Sequence, residues 1–367
     1  MRPHKLKFSP PPSPSASSDG AARQGRWLLQ PNGDGSSSPF QWLQEERRNR
    51  NRAVAALCLV QTLFALGTVL TKYTLLESGV NTLVLLLYRD IASSVILVAI
   101  ATRLHGLPRR KDLAPFLLAG FCMFLNHALF IVGVDLSGAL VASCVQPSQP
   151  VVTLAIAVLV GQERLTFNRC AGLACAVVGA VCVVVGDMLM QPGKSHADAK
   201  GKDNNAIWGD GALLANCVAA GACYVVMKAL NRMYDSTLVI AWIYVVASGF
   251  LMATAGVFVS SDNGAGGWAL PGEAVPALVY LVLVSSVLGY ILISWSNNHL
   301  DSSQVSSFTC LQPMVGAVGA TLLLDEGATA GEVLGGLLII AGLMLTMAEP
   351  RKRKLRAAGR GDRSIAD

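Results

Sequence analysis

The sequence predicts an all-α integral membrane protein of ten transmembrane helices, arranged as two inverted five-helix repeats. Three observations predict it: long apolar runs broken only briefly, basic residues gathered at alternate ends of those runs, and a motif that returns 163 positions later. Of the 367 residues 53% are hydrophobic and only 14% charged, against about 25% charged in an average soluble chain. Mean hydropathy is +0.49. That balance suits a bilayer and excludes a water-soluble enzyme.

Residues 1–52 carry nine Lys/Arg against four Asp/Glu and are rich in Pro, Ser and Gly. They read as a disordered tail. Having no apolar run, the tail is not a secretory signal peptide. An organellar transit peptide is the alternative, weakened by Asp19, Asp34, Glu45 and Glu46. The cluster 45–52, EERRNRNR, then abuts the first apolar run.

Ten runs come next, at about 53–76, 80–102, 113–134, 138–160, 167–189, 207–230, 236–259, 274–296, 302–324 and 328–348. At about 1.5 Å per residue each can cross about 30 Å of hydrocarbon. In lipid every backbone amide must be paired within its own segment, so such runs are helices. The first five form one unit (53–189), a polar loop spans 190–206, and the last five form a second unit (207–348). A basic tail, 349–367, closes the chain. Sixteen Lys/Arg collect at one set of run ends, among them Arg103, Arg109, Arg164, Arg169, Arg232 and Arg351, against Lys194, Lys200 and Lys202 at the other. The positive-inside rule then puts both termini in the cytoplasm, which an even number of spans satisfies. Basic tails beside anionic lipid account for the positive charge without nucleic acid.

At offset 163, Gln149-Pro150 meets Gln312-Pro313, Glu163 meets Glu326, Gly172 meets Gly335 and Gly179 meets Gly342. Lys72 and Lys228 match at offset 156. A repeat with an odd number of spans enters the membrane from the opposite face, so the halves are related by a pseudo-two-fold axis in the membrane plane. Carriers of that build place a solute site at the midplane between halves.

The runs LTKYTLLESGVNTLVLLLYRD (70–90), FLNHALFIVGV (124–134), VASCVQPSQPVVTLAIAVLVGQERLT (141–166), GLACAVVGAVCVVVGD (172–187), SSVLGYILISWSNN (285–298) and QVSSFTCLQPMVGAVGATLLLDE (304–326) resemble the drug/metabolite transporter superfamily. Specifically, the chain is similar to two tandem EamA-type units of the plant nodulin-like and Walls-Are-Thin kind, over about residues 53–348. It departs from them in its long tail and in Asn126-His127, where Asn-Gln is usual. The resemblance implies a secondary transporter, an exporter of amino acids, auxin-like or other amphipathic metabolites working by alternating access. A sugar-phosphate or nucleotide-sugar carrier and a non-transporting scaffold are the alternatives. Plasma membrane is the expected location, with vacuolar or plastid membrane open.

Polar residues inside a bilayer are costly and face the bundle or a wet cavity. The candidate solute ligands are Tyr88, Arg89, Asn126, His127, Gln149, Tyr290 and Gln312. Arg89 can hold an anionic group through its planar fork; as helix neighbours about 100° apart, Arg89 and Asp90 are expected to pair poorly with each other. Pro150 and Pro313 are candidate hinges, since proline removes a helical donor. Glu163 and Glu326 are expected to cap the helix after each of them, and Lys72 and Lys228 to snorkel toward headgroups. The Gly172, Gly179 and Gly186 strip and its Gly335, Gly342 copy allow close helix packing, between halves or in a homodimer.

No enzyme is expected. The nine cysteines lie in apolar runs without CxxC spacing, and HExxH, GxSxG and Walker A motifs are missing from the sequence. Neither metal nor cofactor is implied.

Overall fold

A computed structural model describes residues 39–78, 82–105, 107–190, 205–261, 268, 270–315 and 330–347. The chain divides into two compact units, Met1–Arg47 and Arg48–Asp367. The second unit holds α1 (Pro39–Ser78) from Arg48 onward, α2 (Thr82–His105), α3 (Leu113–Val145), α4 (Gln149–Leu159), α5 (Phe167–Met190), α6 (Asn205–Asn231) and α7 (Ser236–Ser261). After them come α8 (Val275–Tyr280), a π-helical stretch Leu281–Leu288, α9 (Gly289–His299), α10 (Ser302–Ser307) and α11 (Ala330–Met347). Among the described residues seven helical stretches are long and apolar enough to cross a membrane, and Val333–Met347 is a shorter apolar helix.

α1 starts at Pro39 rather than near residue 53, so the basic cluster 45–52, expected in a disordered tail, is helical. Residues 1–38 and Glu326 lie outside the described residues, as do the side chain of Lys72 and the surroundings of Gly186.

Where a break was expected between the third and fourth runs, α3 is helical without interruption to Val145. Asn216 of α6 donates to the Asn126 carbonyl, and Gln146 Nε2 donates to Asn216 Oδ1 at 3.0 Å. On a straight helix residues 126 and 146 would stand about 30 Å apart. One side chain reaches both, so the chain is sharply bent between them. α6 packs along this stretch, with Gly209 against Ser137 and Gly221 against Thr153.

The duplicated Gln-Pro motif has a duplicated shape. A 3₁₀ turn, Gln146–Ser148, precedes Gln149-Pro150, and a second, Phe308–Cys310, precedes Gln312-Pro313. Pro150 occupies the first turn of α4, where its missing N–H has no intrahelical role. The break is thus a tightened turn and then a fresh helix start, and not a kink within one continuous helix.

α5 packs along α11, α2 on α7, α4 on α10, and α3 along α6. The α5–α11 contact is informative in detail. A Cβ on Gly172 would strike the carbonyl of Gly342, and one on Gly179 would meet the Gly335 carbonyl at 2.6 Å. At offset 163 Gly172 is the equivalent of Gly335, and Gly179 of Gly342. The two contacts are therefore one contact and its symmetry mate, the signature of antiparallel helices exchanging equivalent residues about a two-fold axis. The glycine strip is spent inside the chain, between its halves.

Candidate functional site

α2 carries Arg89 and Asp90 about eight residues into a strongly apolar helix, with Asp90 only 1% exposed. A lone carboxylate there would be prohibitively costly; it is held by two partners. Arg89 Nε and Nη2 reach Asp90 Oδ1 at 3.0 and 2.9 Å. The expectation that these neighbours pair poorly is thus corrected: the long arginine side chain folds back over the 100° between them. From α3, His127 Nδ1 stands 2.9 Å from Asp90 Oδ2. Facing an ionised carboxylate, Nδ1 is the protonated nitrogen. Among the described residues Arg89 Nη1 makes no hydrogen bond, so one edge of the fork remains for a ligand.

The second half supplies an aromatic wall. Tyr290 of α9 packs edge-on against Tyr244 of α7, with ring centroids 5.3 Å apart, and tilts against Phe64 of α1 at 5.6 Å. Both tyrosines are in electrostatic contact with Arg89. Arg89, His127 and Tyr290, three of the expected ligands, are thereby brought together across the halves.

The other expected ligands are placed differently. Tyr88 turns away, its hydroxyl donating to the Trp268 carbonyl at 2.8 Å. Asn126 contributes its backbone carbonyl to Asn216. Gln149 is buried, with its carbonyl taken by Thr153. Gln312 Nε2 donates to Gln61 Oε1 at 2.8 Å, one helical turn along α1 from Phe64. Gln61 and Asn216 were missed in the sequence. Gln61 ties the first run to the ninth and Asn216 ties the sixth to the fourth, so each half carries an amide clasp, made through Gln312 in one and through Gln146 in the other. Also unforeseen are the buried hydroxyls of Tyr244, Ser248, Ser285 and Ser286, none in a well-formed hydrogen bond among the described residues, with Tyr244 approaching Ser286.

A second ionic cluster sits at the end of the bundle where Arg50 donates to the Met347 carbonyl. Arg169 bonds both Glu163, at 3.3 Å, and Asp301, and Lys228 Nζ reaches Asp301 Oδ1 at 3.1 Å. Lys228 is 9% exposed, so it does not snorkel; its ammonium is committed to Asp301 and the Leu300 carbonyl. Glu163 accepts from the Ser303 amide at 3.0 Å and from the Ser303 hydroxyl. It caps a helix as expected, but that helix is α10 of the other half and not α5. Burial and the nearby Asp301 raise the Glu163 carboxyl above its ordinary range. Burial would raise Asp301 too, but Lys228 and Arg169 outweigh it and hold that carboxyl below the usual range.

A helical bundle of two like halves, closed over a charged cluster buried between apolar helices, is the form of a polytopic membrane transporter. The chain belongs to the EamA-like transporter family, whose sequence pattern matches residues 51–185 and 207–348. It is similar to WAT1-related protein At3g53210 of Arabidopsis thaliana, 26% identical over 80% of this chain and 84% of the relative. Protein WALLS ARE THIN 1 of the same plant is 25% identical over 77% and 79% of the two chains. A solved crystal structure superposes with a TM-score of 0.65 at 15% identity, covering 81% of this chain and 95% of the other; that likeness concerns the fold. The chain is thus a membrane transporter of the drug/metabolite superfamily resembling the WAT1-related proteins.

Proposed function

We propose that the protein is a secondary transporter of ten spans, two inverted quintets that move a small organic solute by alternating access. The observation that carries this reading is the Arg89–Asp90–His127 cluster facing Tyr290 and Tyr244 across the halves. The exchanged glycine contacts of α5 and α11 support the inversion, because a two-fold axis perpendicular to spanning helices lies in the membrane plane. The meeting of Arg50 with Met347 supports ends on one side, and the basic residues assign that side to the cytoplasm.

The cluster offers a cation and an anion side by side beneath aromatic rings. That favours a solute carrying both signs, or one weak acid group on an apolar body: an amino acid or an aromatic acid of the auxin kind. A phosphorylated solute would need several uncommitted cations, whereas Lys228 and Arg169 are already bound to carboxylates. The Glu163–Arg169–Asp301–Lys228 cluster joins the two halves at the cytoplasmic end and acts as the inner latch. Glu163 and Lys228 recur in the repeat as Glu326 and Lys72, but by offset 163 the outer counterparts of Asp301 and Ser303 are Gly138 and Leu140, and that of Arg169 is Glu332. The complete latch therefore belongs to one end, and favours a resting state closed to the cytoplasm. Export would result from solute entering when the latch breaks.

The test is counterflow of labelled glutamine and indole-3-acetate in proteoliposomes of the full chain, with and without a pH gradient. Protein-dependent exchange of either supports the reading. Vesicles that behave as protein-free controls toward both solutes would overturn it and favour a scaffold.

A further inference from the structure

The π-helical stretch Leu281–Leu288 is packed against α2 beside the charged cluster. Such i→i+5 turns recur at functional sites. Its Ser286, 1% exposed, lies beside the hydroxyl of Tyr244, which is itself 0% exposed. Ser248, one turn further along α7, shares the face of Tyr244. Ser248 has no hydrogen-bond partner among the described residues, and the Tyr244 hydroxyl approaches Ser286 and Tyr290 without closing a well-formed bond. An unpaired buried hydroxyl carries its full desolvation penalty, and native chains keep few of them. One hydroxyl without a partner and two loosely paired at the same locus call for a partner that arrives. The locus adjoins the charged cluster, because Tyr244 is in electrostatic contact with Arg89 and Asp90 and in ring contact with Tyr290.

We propose that Tyr244, Ser248 and Ser286 form a neutral polar subsite that takes an uncharged hydrogen-bonding group of the solute, a side-chain amide or a ring N–H, while Arg89 and Asp90 hold its charged head. The inference rests on the reading of that cluster as the solute site and adds what the solute's other end must be. Hydroxyls both donate and accept, so an amide matches them and a hydrocarbon of similar size leaves them unpaired.

The experiment compares solutes differing in that group: glutamine with leucine, and indole-3-acetate with 1-naphthaleneacetate, in counterflow and in thermal unfolding of the purified full chain. Wild type is expected to prefer the hydrogen-bonding member of a pair about tenfold. Tyr244→Phe and Ser286→Ala are expected to reduce that preference to about threefold or less. Without solute Ser248→Ala is expected to unfold about 1–3 °C higher, because an unpaired hydroxyl has gone. A Ser248→Ala variant that unfolds lower shows a hydroxyl already satisfied and overturns the subsite, as does an unchanged preference in Tyr244→Phe and Ser286→Ala. If wild type moves solutes without discriminating within either pair, only the subsite fails. If it moves none of the four, the transport reading fails and takes the subsite with it. Ser286→Ala removes a single oxygen and serves where Tyr244→Phe disturbs folding.

Discussion

Gly179→Ala should destabilise the bundle, by an amount that the local geometry bounds. A Cβ there would lie 2.6 Å from the Gly335 carbonyl oxygen and 2.8 Å from the Ile339 amide nitrogen, both backbone atoms that no rotamer change can move. Ordinary carbon contacts begin near 3.5 Å, so α5 and α11 must separate by roughly 0.8 Å along their crossing. A gap of that size forfeits a quarter to a half of each affected dispersion contact, and overpacking of this kind costs about 1–3 kcal/mol. Against it stands a gain of up to about 1 kcal/mol from replacing a helical glycine by alanine. The net loss should be about 1–2 kcal/mol, or roughly 2–6 °C in the unfolding temperature. Gly249→Ala is the control: nothing lies within 4 Å of the added methyl, so only the propensity gain applies. The assay is fluorescence-monitored thermal unfolding of both variants in one detergent. Gly342→Ala, the symmetry mate, should repeat the loss. Equal stability of Gly179→Ala and Gly249→Ala would refute the backbone contact.

Gln312→Leu leaves the Gln61 amide without its bonded partner and should cost about 1–3 kcal/mol; the double variant Gln61→Leu/Gln312→Leu should recover much of it, and a thermal-unfolding cycle that is simply additive would contradict the pairing. Asp301→Asn takes the counter-charge from Lys228 and Arg169 and should cost about 3 kcal/mol. It should also widen the distance between spin labels at exposed Arg164 and Met233 if the latch holds the halves closed; an unmoved distance would contradict the latch. The two latch carboxyls titrate with opposite sign. Asp301, held low, contributes stability that is present above the ordinary aspartate range and lost as pH falls through its lowered value. Glu163, pushed up, contributes stability that is present below the ordinary glutamate range and lost as pH rises through its raised value. Glu163→Gln should therefore flatten the decline that begins as pH rises above the ordinary glutamate range, and Asp301→Asn the decline at acid pH, as read from unfolding temperature against pH.

The apolar runs made the helices legible, because a bilayer leaves no other way to pair the backbone. The offset of 163 made the halves legible, and the glycines and Gln-Pro pairs that carried it proved to be contacts and turns repeated in space. Arg89, His127 and Tyr290 could be picked out as polar groups too costly to bury idly. What stayed hidden depended on partners far along the chain. Nothing local tells that Glu163 caps a helix 140 positions away, that Lys228 folds onto Asp301, or that Gln61 meets Gln312. The Arg89–Asp90 pair was misjudged because the angle between neighbouring Cβ atoms ignores how far an arginine can reach back. The π-helical stretch leaves no periodic mark in a segment that is apolar on every side.

A solute site centred on Arg89 is tested most simply by counterflow of glutamine and indole-3-acetate with Arg89→Ala, matched to wild type for reconstituted amount and monodispersity. Exchange is expected to fall to the level of protein-free vesicles. Wild-type exchange from that variant would remove Arg89 from the transport path and the proposed site with it.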